Sequence, residues 1–362
     1  MKIKNIFFAA ILVLAGFSCS MEDDAIMNDV EKGIEEATEA YTVLDFGVAF
    51  NEMATKASTT VVPGEDRPAT GDENNDEKKI SEVSVFLLED GKVIGILIPQ
   101  NRNQVSSNSD GSITLKDLKF VTKYKTNRTL EAHVVINGNQ FLKNINIGDA
   151  QSALNQQISG CLSADQLIKY GSTRIVFGKD ITNSYSSPSV AENNPTTILV
   201  KVSHVAARLD FSQFDVTLKG FEGDPTVVFD EAKFVNLQQN GKIVEGDASV
   251  NVKDGAFLNR SNRIGTGWID MGTAYGYANQ YRQDSEMNTA LYVKFTVDGR
   301  TFEKTYPINP AGITKEVDHN GIKGGYLYDI KVRWTITPDW GDSTIEFYTR
   351  DWVHNSIPEI VL

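Results

Sequence analysis

Cysteine and histidine are scarce in this sequence. Two cysteines, Cys19 and Cys161, and four histidines, His133, His204, His319 and His354, are scattered through 362 residues. None falls at metal-ligand spacing, and neither Cys-x-x-Cys nor His-Glu-x-x-His occurs. A disulfide scaffold is excluded if Cys19 has another use, no metal site is expected, and the sequence implies no cofactor. Gly-x-Ser-x-Gly and phosphate-loop patterns are also missing. Carboxylate pairs such as Asp72/Glu73 and Glu89/Asp90 lie in acidic or turn contexts, where solvation is their ordinary role. The sequence therefore offers no catalytic residue, and an enzyme is not expected. Cys161 reads as a small packed residue, because a nucleophilic thiol needs a histidine and a third group to orient it. Basic charge is short as well. Thirty-five Lys and Arg against 48 Asp and Glu give a net charge of −13, the opposite of a nucleic-acid-binding surface.

What is present begins with an address. Lys2 and Lys4 precede an apolar run from Ile6 to Phe17, followed by Ser18-Cys19 and the acidic Glu22-Asp23-Asp24. The run is too short to span a roughly 30 Å hydrocarbon core and follows a basic segment, so residues 1–18 read as an export signal. Gly16 and Ser18 resemble the residues of a lipobox, with Phe17 where a smaller residue is usual, and Cys19 as the lipidated first residue of the mature chain. Two or more acyl chains hold a protein at a membrane surface without spanning it. The acidic run resembles the surface-export signal of Bacteroidetes lipoproteins, which implies an outer-membrane, cell-surface location.

Residues 20–40 are acidic and weakly helical, as a tether would be. In TVLDFGVAFN the apolar Leu44, Phe46, Val48 and Phe50 alternate with Asp45, Gly47 and Ala49, the period of a strand with one buried face. A polar stretch of about 28 residues, EMATKASTTVVPGEDRPATGDENNDEKK, follows and is expected as a loop. Strand patterns dominate from there: ISEVSVFLLEDGKVIGI with a turn at Glu89-Asp90-Gly91, then LEAHVVIN, RIVFG, TTILVKVSHVAARLDF, FDVTLKGF, KFVNLQQN, ALYVKFTVDGRTFEKTYPI and YLYDIKVRWTIT. Residues 150–170 are the one good helical candidate, with Ser163 as the N-cap of a short helix. Many short strands and little helix indicate an all-β protein of two β-sandwiches. The polar SYSSPSVAENNP (184–195) marks the expected boundary, giving 57–192 and 193–362 as domains after a lipidated segment, 19–56, that carries the first strand.

Taken in order, several segments resemble the fimbrillins, the FimA-type and Mfa-type subunits of type V pili. They are ATKAS before an acidic loop, KISEVSVFLLEDGKV, TLEAHVVINGN, TTILVKVSHVAARLDF, GYANQYRQDSEMNTALYVKFTVDGRTFEKTYPI and GGYLYDIKVRWTIT. The resemblance spans about 300 residues and is carried by order and spacing, since each piece alone is a generic strand or hairpin. It implies two tandem transthyretin-like sandwiches and export as a lipoprotein. It also implies a trypsin-like processing protease that cuts after Lys or Arg in the loop behind the first strand, removing lipid and strand together. Lys56 in MATKAS fits that cut; Arg67, the alternative, precedes a proline. The implied partners are other fimbrial subunits, the outer membrane through the lipid, and a host or bacterial surface receptor.

Physical reasoning converges on assembly. Removing a strand that supplies Leu44, Phe46, Val48 and Phe50 to a core would open an apolar groove between two strand edges, and exposed edges template strand addition. The C-terminus is a candidate donor, with Ile345 and Phe347 on one face of STIEFYTRDW and Ile360, Val361 and Leu362 in an apolar tail. That tail packs either in its own domain or in a neighbour. Head-to-tail addition does not close, so it makes filaments. An anchor or tip subunit would keep its lipid and first strand. A surface glycan-binding lipoprotein is the other reading, on the aromatics Trp268, Tyr275, Tyr277, Tyr281, Trp334, Trp340 and Trp352, whose ordinary role is to fill a β core. Asp342-Ser343-Thr344 resembles a short Bacteroidetes O-glycosylation motif.

Overall fold

The computed structural model describes residues 39–50, 75–109, 112–244, 248–258, 272–280, 285–308, 321–339, 341–351 and 359–360. Cys19, Lys56, Arg67, Val361 and Leu362 lie outside the described residues, as do Trp268, Tyr281, Trp340 and Trp352. The first ten strands are β1 (Tyr41–Phe50), β2 (Lys79–Ile80), β3 (Val83–Glu89), β4 (Lys92–Leu97), β5 (Val105–Ser107), β6 (Ile113–Lys123), β7 (Thr129–Ile136), β8 (Gln157–Ser159), β9 (Lys169–Val176) and β10 (Thr196–His204). The rest are β11 (Ala207–Leu218), β12 (Val227–Gln238), β13 (Asn240–Lys242), β14 (Val252–Leu258), β15 (Gly272–Gly276), β16 (Asn279–Gln280), β17 (Ala290–Val297), β18 (Arg300–Pro307), β19 (Gly321–Ile322), β20 (Tyr326–Ile336), β21 (Gly341–Asp351) and β22 (Glu359–Ile360). Among the described residues, two short helices, α1 (Asn139–Leu142) and α2 (Pro188–Glu192), complete the regular elements together with 3₁₀ turns.

Two hairpins follow directly from sequence. Asp90 (φ 49°) and Gly91 (φ 71°) join β3 to β4, and Asp298 (φ 46°) and Gly299 (φ 82°) join β17 to β18. Both are two-residue loops with positive φ at both positions, where Asp-Gly suits the right-handed twist of the flanking strands.

The first sandwich is one folded sheet, ordered β4-β3-β7-β9-β10-β1-β6-β5. The turn between its layers comes at β10, which pairs with β1 over residues 196–202 and with β9 at Ser203 and His204. A Cβ on Gly171 of β9 would fall 1.8 Å from the Lys201 carbonyl oxygen, so only glycine lets the strands meet this closely. Between the layers, Leu44, Phe46 and Val48 pack with Val85, Leu87, Leu115, Leu130, Val134, Ile175 and Val200. The second sandwich stacks sheet β15-β11-β20-β21 on sheet β14-β12-β17-β18. Its core is aromatic: Phe214 meets Phe229 and Phe295 edge-on at 5.2 and 5.5 Å, and Phe295 meets Trp334 at 5.0 Å. The all-β, two-sandwich expectation holds.

A third apolar cluster joins the halves. Phe86, Leu88 and Val135, on the outer face of the first sandwich, pack with Leu154, Ile158 and Ile168 and with Ala206, Ile243, Tyr277 and Leu327 from the second half. Burial on both faces explains why β3 reads as a near-continuous apolar run instead of an alternating one.

Three expectations change. Residues 150–170 form no such helix: 3₁₀ turns at Gln151–Leu154 and Ala164–Gln166 flank β8, which pairs with β13. Ser163 does precede the second turn, but its side chain makes no capping bond there. Helical amphipathicity and the needs of the third cluster both ask for spaced Leu and Ile, and Gly160 (φ 74°) with Cys161 (φ 54°) breaks the segment. Within TTILVKVSHVAARLDF the chain passes from β10 to β11 at Val205 and Ala206 and so changes sandwich there. Consequently β10 lies beyond the expected 192/193 boundary and yet pairs within the first sheet. Finally, residues 75–79, the end of the expected loop, form a 3₁₀ turn and the first residue of β2.

Candidate functional site

The strand expected to matter most, β1, lies inside the first sheet. It runs parallel to β10, with Leu44 opposite Thr196 through Phe50 opposite Val202, and antiparallel to β6. Leu44, Phe46 and Val48 are fully buried and Phe50 is 6% exposed. Their burial contributes about 1.5–3 kcal/mol each, or roughly 6–12 kcal/mol together as an upper estimate.

The fit has flaws. The β1–β6 ladder breaks at Asp45: Leu44 lies opposite Phe120 and Phe46 opposite Leu115, so β6 bulges by several residues, with Asp117 at φ 58°. Asp45 Oδ1 and Thr42 Oγ1 are buried without a hydrogen-bond partner among the described residues. Each such group costs about 1–3 kcal/mol, which offsets part of the apolar gain.

The outer face of β1 is covered too, which alternation alone did not foretell. Val43 is fully buried, and α2 lies against β1 and β6 with Ala191 buried. α2 belongs to the polar segment 184–195, which is thus a strap over β1. Tyr41 and Tyr185 exchange backbone hydrogen bonds of 2.8 Å, and Lys119 Nζ donates to the Glu192 carbonyl at 2.9 Å. Ser187 caps α2 by accepting from Val190 N, with Pro188 in the first turn. Small residues suit the covered face: a Cβ on Gly47 would already meet Leu199 Cδ1 at 3.1 Å and Ile113 O at 3.3 Å. The polar character of the strap was visible in sequence; what it covers was not.

The C-terminal candidates fall on two strands. Ile345 and Phe347 are in β21, the edge of the second sandwich, opposite Val332 and Ile330 of β20. Ile360 is in β22, which pairs parallel with β2, Ile80 opposite Ile360, and lies against β5. The backbone of β22 is therefore placed on its own chain's first half. Asp342-Ser343-Thr344 opens β21.

The remaining chemical candidates are structural. Cys161 Sγ accepts from Gln140 Nε2 at 3.1 Å, and burial pushes its thiol pKa up, away from a reactive thiolate. Desolvation lowers the pKa of buried His133, against the opposing pull of Glu131, and its Nδ1 lies 2.8 Å from the Tyr170 hydroxyl. Trp334 is 5% exposed in the core, and Tyr277 is 1% exposed with its hydroxyl donating to Gly160 O at 2.7 Å. Neither presents a platform for a sugar ring.

Comparison with known proteins adds the fold's relatives. No family model matches the chain, and no curated protein sequence does. Among solved structures, a putative cell adhesion protein from Parabacteroides distasonis aligns over 88% of this chain and 99% of its own, at 17% identity and TM-score 0.55. A second from the same organism aligns over 87% and 100%, at 11% identity and TM-score 0.51. A fimbrilin (fimA) from Porphyromonas gingivalis aligns over 86% and 98%, at 14% identity and TM-score 0.49. The likeness to the two adhesion proteins is one of fold and spans both sandwiches.

Proposed function

We propose that this chain is a fimbrillin-type structural subunit of a cell-surface pilus, exported as a lipoprotein precursor and assembled by strand exchange after proteolysis. The observation that carries the reading is the position of β1. An N-terminal strand sits between β10 and β6, supplies four core side chains, and precedes residues 51–74, which lie outside the described residues. A cut after Lys56, or after Arg67, would leave β1 held by non-covalent contacts alone. Its departure would expose a groove between two strand edges that a strand of another subunit can fill. The lipid on Cys19 would leave with it, so the outer-membrane attachment ends in the step that opens the groove. β21, already an edge strand, and the apolar tail beyond it are the donor candidates, and heterologous addition makes an open filament. The fold of the adhesion proteins and the sequence resemblance support a structural, non-enzymatic role at the cell surface.

Limited trypsin treatment of the precursor lacking its lipid, followed by mass analysis and electron microscopy, tests this reading. We expect loss of the segment through Lys56 and conversion of monomer to fibres. Cleaved protein that stays monomeric under all conditions would refute strand exchange for this subunit.

A further inference from the structure

The segment Asn75–Ser81, which follows residues 51–74, contains the dibasic pair Lys78-Lys79. By side-chain chemistry the pair suits a trypsin-like protease as well as Lys56 does. Its surroundings are different. Glu77, beside it, is fully buried. Its carboxylate accepts from Arg208 Nη1 at 3.1 Å and from the Tyr275 hydroxyl, and its carbonyl oxygen accepts from Lys169 Nζ at 2.8 Å. Arg208 also pairs with Asp210 at 2.9 Å, and Thr273 Oγ1 donates to Asp210 at 2.7 Å. Burial opposes the charge on Arg208, but Asp210 and Glu77 outweigh it and hold the guanidinium protonated. On the other side of the pair, Asn137 Nδ2 donates to Lys79 O at 2.9 Å, while Asn137 Oδ1 accepts from Ser81 N at 2.9 Å. Lys79 Nζ itself lies 2.8 Å from Asp76.

The pins come from β9 and the β7 end of the first sandwich, and from β11 and β15 of the second. A protease must draw several residues of extended backbone into its cleft, so cleavage of a folded segment tracks how often that segment opens. Opening Asn75–Ser81 would strip Glu77, Arg208 and Lys169 of mutual contacts in a buried site, which is strongly unfavourable.

Building on the processing reading above, we propose that the Glu77 cluster is a guard: it confines proteolysis to residues before Asn75 by keeping the Lys78 and Lys79 bonds closed to a trypsin-like protease. The need for a guard is clear from what those bonds carry. A cut there would sever β2, on which β22 rests, and free the segment at the junction of the two sandwiches.

Trypsin itself is the probe, applied to the full precursor lacking its lipid, with fragment masses read over time. Wild-type protein should show no cut after Lys78 or Lys79 while it remains folded. Glu77→Gln and, independently, Lys169→Met should each open those bonds at least about tenfold faster. Adding Lys78→Gln and Lys79→Gln to either variant should abolish the new fragments. Circular dichroism and a cooperative urea transition establish that each variant is folded. Prompt cutting of folded wild type at Lys78 or Lys79, or unchanged resistance in both folded variants, would overturn the guard. Because the readout is these two bonds and not fibre formation, failure of strand exchange leaves the test intact, and the reverse also holds.

Discussion

The two segments on either side of residues 51–74 are held in opposite ways. β1 is fixed by a backbone ladder and apolar side chains, with a break at Asp45 and two buried polar atoms without partners among the described residues. Among the described residues Asn75–Ser81 makes a two-residue ladder, and it is fixed by charged and amide side chains reaching it from both sandwiches. Apolar burial in a strand-shaped slot is transferable, because any strand of similar pattern can replace it. A buried ion cluster is specific to its members, since removing one leaves the others uncompensated. The same chain thus has a grip set by apolar pattern before residues 51–74 and one set by particular residues after them.

The sharpest way to break this contrast is Phe46→Asp. A charge forced into the first core should lower unfolding free energy by about 5 kcal/mol or more, or drive premature association. Urea titration and sedimentation measure both, and a wild-type midpoint with wild-type mass would mean that β1 is not part of the core. Arg208→Met should cost about 3–5 kcal/mol by stranding Glu77, while Glu77→Met with Arg208→Met should recover much of that loss. A double-mutant cycle in urea gives the coupling, and additive losses would show that the cluster is not one unit. Asp45→Ala removes an unpartnered buried acceptor from β1, so it should raise stability by about 1 kcal/mol. After cleavage it should also slow any conversion to fibres, and a destabilised variant would mean that Asp45 is satisfied in solution.

The smallest effect concerns acid. Arg128 donates to Glu89 through Nε at 2.6 Å and Nη2 at 2.8 Å, and its Nη1 also reaches Thr122 Oγ1 at 2.6 Å, opposite Thr42 of β1. The hydrogen bonds from Arg128 hold the Glu89 pKa below its ordinary value of 4.5. The stabilisation is therefore present above that ordinary value and is lost as pH falls through the lower, folded one. For a partly exposed fork it amounts to about 1 kcal/mol or less. Stability curves for wild type and Glu89→Gln should converge on the acid side of pH 4.5; parallel curves would show that the fork does not contribute.

Much of this was legible in the sequence because local pattern and final environment agree. The 44/46/48/50 alternation is the inward face of β1, and Asp90-Gly91 is the turn its neighbours demand. What was hidden depends on residues far apart in the chain. Nothing near Tyr41–Phe50 announces that its parallel partner begins at Thr196, or that 184–195 covers its outer face. The acidic tract ending in Asp76-Glu77-Lys78-Lys79 has the composition of a solvated loop, and only Lys169, Arg208 and Tyr275, more than 90 residues downstream, turn Glu77 inward. In 150–170 the spacing of Leu and Ile satisfied a helix template, yet a joint between two sandwiches recruited them instead.

The step from β10 to β11 has a mechanical meaning. Val205 and Ala206 are all that separate the strand beside β1 from the strand that pairs in parallel with β20 along the length of the second sandwich. A pull on the start of β1, resisted from the end of β10 onward, runs along the paired strands β1 and β10. It loads their hydrogen bonds together in shear instead of unzipping them one at a time. Tension thus passes from one sandwich to the other through main chain, and the slot proposed to exchange its strand is also oriented to bear force.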